Sequence, residues 1–194
     1  MASFPYTVVL FYGAEKALST TKTQKFGTMG ETPDGRTFRY GQANACFEFG
    51  SLLDGTSPST QAALDMAVTS AAPIGADHIQ VVSAGSLAIN ADAAVDGFLY
   101  VNDGTGQGQL FRVRTHASIA TTGATTGTNV YFHPNDTVRV ALATSSLVGL
   151  TANRYASVAA ASAVAAATAR TRKIVGVSVS DALASRFCWV QTGG

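Results

Sequence analysis

Short apolar stretches recur along this 194-residue chain, some with apolar and polar residues in alternation, and turn-forming residues interrupt them every eight to fifteen positions. Period-two alternation of this kind is the mark of a strand with one face against a core. It predicts strands over 79–83, 87–90, 97–102, 110–115, 130–133, 138–142, 147–150, 174–179 and 187–191. In 97–102, Phe98 and Tyr100 alternate with Leu99 and Val101, which predicts a strand buried on both faces. Many short strands at this spacing point to an all-β barrel or sandwich with little helix.

The clearest local signal lies at 27–40. Two strand-like limbs, 27–32 and 36–40, flank Pro33-Asp34-Gly35, and Asp-Gly supplies the backbone angles that a tight hairpin needs. On the second limb Arg36, Phe38 and Tyr40 are expected to face one way. A further strand is expected over 46–53, closed by Asp54-Gly55. Ser57-Pro58 could cap a short helix through Ala62, Ala63, Met66 and Ala67. The alanine-rich stretch 157–169 has helix-forming composition but no large apolar residue to anchor a helical face, which favours an extended or loop form with at most a short helix. Residues 1–25 combine an apolar run from Tyr6 to Tyr12 with a Ser/Thr/Lys stretch that has little to bury. They read as an extended arm that orders when it docks on a neighbour, ahead of a β-rich domain over 26–194.

Composition sharpens the picture. Charged residues make up only 13% of the chain, about half the usual share, while hydrophobic residues make up 46%. A surface so poor in charge favours self-association, in which neighbours shield part of it. The net charge is +1 and the basic residues form only two short clusters, Arg112 with Arg114 and Arg170, Arg172 with Lys173. A nucleic-acid binder needs a stripe of phosphate contacts, so direct binding to a genome is not expected. The apolar run near the N-terminus is too short and lacks the basic leader of a signal peptide, and no stretch approaches a membrane span. Synthesis and folding in the cytoplasm are expected.

Candidate chemistry is sparse. Cys46 and Cys188 fit neither a disulfide framework nor a zinc spacing, and their aromatic neighbours suggest small buried residues in strands, although paired chain ends could bring the two together. His78, His116 and His133 are far apart and suit a surface or interface role better than catalysis. Asp77, Asp92, Asp96, Asp103 and Asp136 stand in turn-like contexts, where a carboxylate bonds its own backbone. The run Asn102-Asp103-Gly104-Thr105-Gly106-Gln107-Gly108 resembles a phosphate loop only in its glycines. A strand pattern follows instead of a helix, so a hairpin loop is expected. No catalytic, cofactor-binding or metal-ligating set emerges, and an enzyme is not expected. Trp189, alone of its kind, is expected in the core of the last strand.

Several segments taken in order resemble the capsid decoration (cement) proteins of tailed phages. They are Phe26-Gly27-Thr28 leading into Glu31-Thr32-Pro33-Asp34-Gly35-Arg36-Thr37-Phe38-Arg39-Tyr40, then 97–108, Val138-Arg139-Val140-Ala141-Leu142, Val175-Gly176-Val177 and Phe187-Cys188-Trp189-Val190-Gln191-Thr192-Gly193. The resemblance spans 26–194 and leaves out the first 25 residues. It implies a β-barrel or β-tulip protein that forms a homotrimer on the virion exterior and clamps the major capsid protein lattice against packaged DNA. A tail, baseplate or head-fibre component, or a carbohydrate-binding module that stacks exposed Tyr and Trp on sugars, is the alternative.

Overall fold

The computed structural model describes residues 7–56, 63–86, 88–124, 126–161 and 173–194. The all-β expectation holds: among the described residues thirteen strands carry the fold, with a 3-10 turn at Ala14–Lys16. The chain divides into two compact units, one formed by residues 1–57 and 154–194 and the other by 58–153, so the division falls within the stretch expected as one domain.

The first unit is a seven-stranded sheet. Its strands are β1 (Val8–Val9), β2 (Met29–Glu31), β3 (Thr37–Gln42), β4 (Leu52–Asp54), β11 (Ala159–Ala160), β12 (Ile174–Ser178) and β13 (Phe187–Gly193), in the order β1-β2-β3-β13-β12-β4-β11. The predicted hairpin joins β2 to β3. Gly35 takes a left-handed φ of 85°, its N–H donates to the Thr32 carbonyl at 2.9 Å, and the Thr32 N–H reaches the Arg36 carbonyl at 3.0 Å. Tyr40 stands opposite Trp189 across β3 and β13, and Gly41 stands opposite Cys188. Because side chains alternate along a strand, β13 feeds two cores. Cys188 and Val190 join Ala43, Phe47, Leu53, Val158, Val175 and Ala182 in one. Trp189 joins Leu10, Phe38, Tyr40 and Val179 in the other, so the tryptophan is a core residue. At the irregularity in β12, Gly176 is required: its φ is 153°, and a Cβ there would lie 2.2 Å from the Gln191 carbonyl oxygen.

The second unit contains β5 (Met66–Val68), β6 (His78–Val82), β7 (Phe98–Asp103), β8 (Leu110–His116), β9 (Thr128–Phe132) and β10 (Leu147–Thr151). Their pairing runs β10-β5-β6-β9-β8-β7 and returns to β10, a closed barrel without a free edge. The inward positions are Met66, Val68, Ile79, Val81, Leu99, Val101, Phe111, Val113, Val130, Phe132, Val148 and Leu150. Phe111 and Phe132 stack there at 4.3 Å. Closure explains a correction in β7. Leu99 and Val101 are buried in the barrel, whereas Phe98 on the outer side is 44% exposed, so the strand is buried on one face only.

Other expectations change for similar reasons. Met66 and Ala67 lie in a strand instead of a helix, because Ala67 is paired with both Val82 and Leu147, and residues 57–62 of that expected helix lie outside the described residues. The strand expected over 46–53 shortens to β4. Those expected at 87–90 and 138–142 reduce to bridges, Ile89 with Ile119 and Leu142 with Ala72, and Leu87 lies outside the described residues. In the alanine-rich stretch Ala159–Ala160 is extended and pairs with β4, while 162–169 lies outside the described residues.

One supersecondary step recurs four times. A bridge residue (Phe47, Ala72, Leu142 or Ala182) is followed by a β-turn and then by β4, β6, β10 or β13. The four turns close alike: Ser51 N–H to Glu48 O at 3.2 Å, Ala76 to Pro73 at 3.1 Å, Ser146 to Ala143 at 3.0 Å and Arg186 to Leu183 at 3.3 Å. Each unit holds two copies, joined to each other. Phe47 and Ala182 exchange bonds of 3.0 and 2.9 Å, and Ala72 and Leu142 exchange bonds of 3.1 and 2.9 Å. The third residue after the bridge is left-handed in three copies, as Gly50, Gly75 and Ser185.

Candidate interaction surfaces

The N-terminal segment is built onto the sheet of its own chain. β1 pairs in parallel with β2, and the Leu10 N–H donates to the Glu31 carbonyl at 2.8 Å. Leu10 is buried against the aromatic face, in space left by Gly30, whose Cβ would lie 2.7 Å from Leu10 Cδ1 and 2.8 Å from the Trp189 ring. Gly13 turns the chain with φ 93°, and the buried Glu15 carboxylate accepts its N–H at 2.7 Å. The same carboxylate lies 3.6 Å from the Arg36 guanidinium, which also pairs with Asp34 at 2.8 Å. The Thr32 hydroxyl, and then Arg36, hold the Asp34 carboxyl below its ordinary range. Ser19 exchanges bonds of 3.0 and 2.9 Å with Phe187, and Thr23 donates twice to the Tyr40 hydroxyl at 3.1 Å. At the start of this segment the exposed side chains are apolar: Val9, Phe11 and Tyr12 are 66%, 79% and 66% exposed.

In the barrel unit the polar side chains brace loops. Asp92 Oδ1 accepts from the Thr115 hydroxyl at 2.8 Å and the His116 N–H at 2.9 Å, and Asp136 Oδ2 accepts from the Arg112 N–H at 2.9 Å. Both carboxylates therefore hold a neighbouring strand, whereas Asp103 bonds the next backbone amide, Gly104 N–H, as a turn aspartate is expected to. Asp96 is buried at a left-handed φ of 58°, with Oδ1 at 3.2 Å from His133 Nε2 and 3.9 Å from the Arg112 guanidinium. His116 is also buried, which corrects its expected surface role. Its Nε2 accepts the Ala94 N–H at 3.2 Å and its Nδ1 faces the Ala117 carbonyl at 2.9 Å, partners that select the tautomer with hydrogen on Nδ1. His78 does lie at the surface, 2.8 Å from Asp77, and that bond holds the Asp77 carboxyl below its ordinary range. Among the described residues, no group of three or more His, Cys, Asp or Glu could hold a metal ion.

The glycine run after β7 is a hairpin loop into β8, with Gly104, Gly106 and Gly108 at φ 80°, 83° and 88°. The Gly108 N–H donates to the Val101 carbonyl at 2.9 Å, so this amide is engaged within the loop. Both cysteines are free thiols: Cys188 is buried in β13, and Cys46 is exposed outside any strand, contrary to its expected burial.

No family model, curated protein or solved structure matches this chain. Among the described residues, no helix is long and apolar enough to cross a membrane.

The features that sequence reasoning missed are outward apolar side chains set by the pairing. Leu52 and Val177 are opposite one another across β4 and β12, and both are exposed. Phe49 and Ile74 occupy the same position, two residues after the bridge, in two copies of the recurrent turn, and both are exposed. Leu110 and Phe98 stand outside the barrel. The four Ala/Phe/Leu bridge residues share no sequence pattern, but the left-handed Gly50 and Gly75 beside a large apolar residue were a readable signal for exposed turn tips.

Proposed function

We propose that the protein is a virion structural component that binds the outside of a tailed-phage capsid and reinforces the major capsid protein lattice. The observation that carries this reading is the exposed apolar set Val9, Phe11 and Tyr12 on and just after β1, an edge strand of the sheet. An edge strand offers unpaired backbone groups to an extended segment of another chain, and flanking apolar side chains give that contact grip. The low charge, the all-β body and the resemblance over 26–194 point the same way. Carboxylates that brace backbone amides suit a rigid scaffold. Several moderate contacts on a symmetric lattice add to firm attachment, which fits the trimer implied by the resemblance.

The test is co-sedimentation with expanded capsids assembled from the cognate major capsid protein. The wild-type chain should pellet with the capsids, and the double variant Phe11→Ser/Tyr12→Ser should bind at least about tenfold more weakly while keeping its fold, because these side chains touch solvent. Failure of the wild-type chain to bind expanded capsids would overturn the proposal. Rings, tubes or fibre attachments in micrographs would redirect it to another virion part.

A further inference from the structure

Charge is divided between the two units in a way the overall net of +1 conceals. The sheet unit holds ten Lys and Arg against six Asp and Glu, a net of +4. The barrel unit holds three Arg against six Asp, with no Lys and no Glu, a net of −3. Each unit presents part of its excess at an exposed corner. In the sheet unit Arg154 and Lys173 flank the segment after β4, where the Thr56 N–H donates to the Arg154 carbonyl at 2.8 Å and the Gly55 N–H to the Lys173 carbonyl at 2.9 Å. Both residues are exposed. In the barrel unit Asp65 and Asp103 are exposed on either side of Asn102, whose side-chain amide donates to the Asp65 carboxylate.

We infer that copies of this chain associate head to tail, with the basic corner of the sheet unit of one copy seated on the acidic corner of the barrel unit of the next. A contact between identical patches would set positive on positive or negative on negative, which costs free energy and slows encounter. A contact between unlike patches joins opposite charges and leaves the pair with one free corner of each sign, one on each copy. Such heterologous contacts close into a ring when the rotation allows it. The composition agrees, because a chain with so few charges retains them in two complementary sets. This inference does not depend on capsid binding, and its test contains no capsid, so either can fail alone.

The test is sedimentation velocity of the whole chain at about 0.05 M and about 0.5 M salt, with the Debye length falling from over 10 Å to under 5 Å. Association should weaken at least about tenfold at the higher salt. Arg154→Glu/Lys173→Glu removes the basic corner. Asp65→Asn/Asp103→Asn removes the acidic one, and asparagine tolerates the left-handed φ of 54° at position 65. Each double variant alone should stay monomeric, and an equimolar mixture should form one-to-one pairs and stop, because each partner supplies the corner the other lacks. A wild-type monomer at low salt, association indifferent to salt, either variant assembling alone, or a mixture that remains monomeric would overturn the inference. Should a variant misfold by circular dichroism, the wild-type salt series decides.

Discussion

Burial and backbone angle decide what single residues can do here. Cys188 lies in the β13 core, and desolvation pushes its thiol up to about 12, because burial disfavours the thiolate. A folded pKa above the ordinary value leaves the group protonated through neutral and mildly alkaline pH, while Cys46 stands in solvent. At pH 8 a thiol-specific reagent should therefore modify Cys46 promptly and reach Cys188 only after unfolding. Labelling of both at similar rates would contradict the packing of β13. Glycine supplies a second case. A Cβ at Gly97 would lie 2.1 Å from the Thr151 carbonyl oxygen and 2.9 Å from that of Ala94, both backbone atoms that cannot swing aside. Gly97→Ala should destabilise the barrel by at least about 1–3 kcal/mol, read as a lower urea midpoint. Gly108→Ala meets no atom within 4 Å but must hold φ 88°, so it should cost only about 1–2 kcal/mol.

At the level of elements, the N-terminal segment is the informative case. Its sequence reads as an arm, since the Ser, Thr and Lys stretch after the apolar run from Tyr6 to Tyr12 has little to bury. The structure nevertheless holds it through Leu10, which fills the gap over Gly30 and covers Trp189. Leu10→Ala should cost about 2–5 kcal/mol. It should also loosen the segment from the sheet, seen as a red shift of Trp189 emission and faster proteolysis ahead of Phe26. Unchanged emission would mean that Leu10 does not cover the indole. The hairpin at 29–42 was legible because Asp34-Gly35 dictates the turn locally. The helical reading of Met66 and Ala67 fails, since strand pairing on both sides of Ala67 overrides a weak helical pattern.

For the whole molecule, the two units have separate cores, one inside the barrel and two on opposite faces of the sheet. Separate cores behave as separate cooperative bodies when local opening is cheaper than global unfolding. Leu99→Ala, made at a fully buried barrel position, should remove about 2–5 kcal/mol and raise hydrogen exchange in β5 to β10. Exchange in β3 and β13 should stay at the wild-type rate. Equal acceleration in both units would show that they unfold as one.

The all-β class, most strand positions and the hairpin turn follow from local rules, because side-chain alternation and left-handed turn residues act over a few neighbours. Residues 97–102 mark the limit of those rules: alternation shows a strand but cannot tell whether a second layer covers Phe98. Which strands close the barrel, where the chain splits into units and which apolar side chains are left outward are decided by pairing between distant segments. Leu147 meets Ala67 and Asp103, and Phe187 meets Ser19, only after the chain has folded. Such contacts have no local signature, so tertiary structure alone decides them.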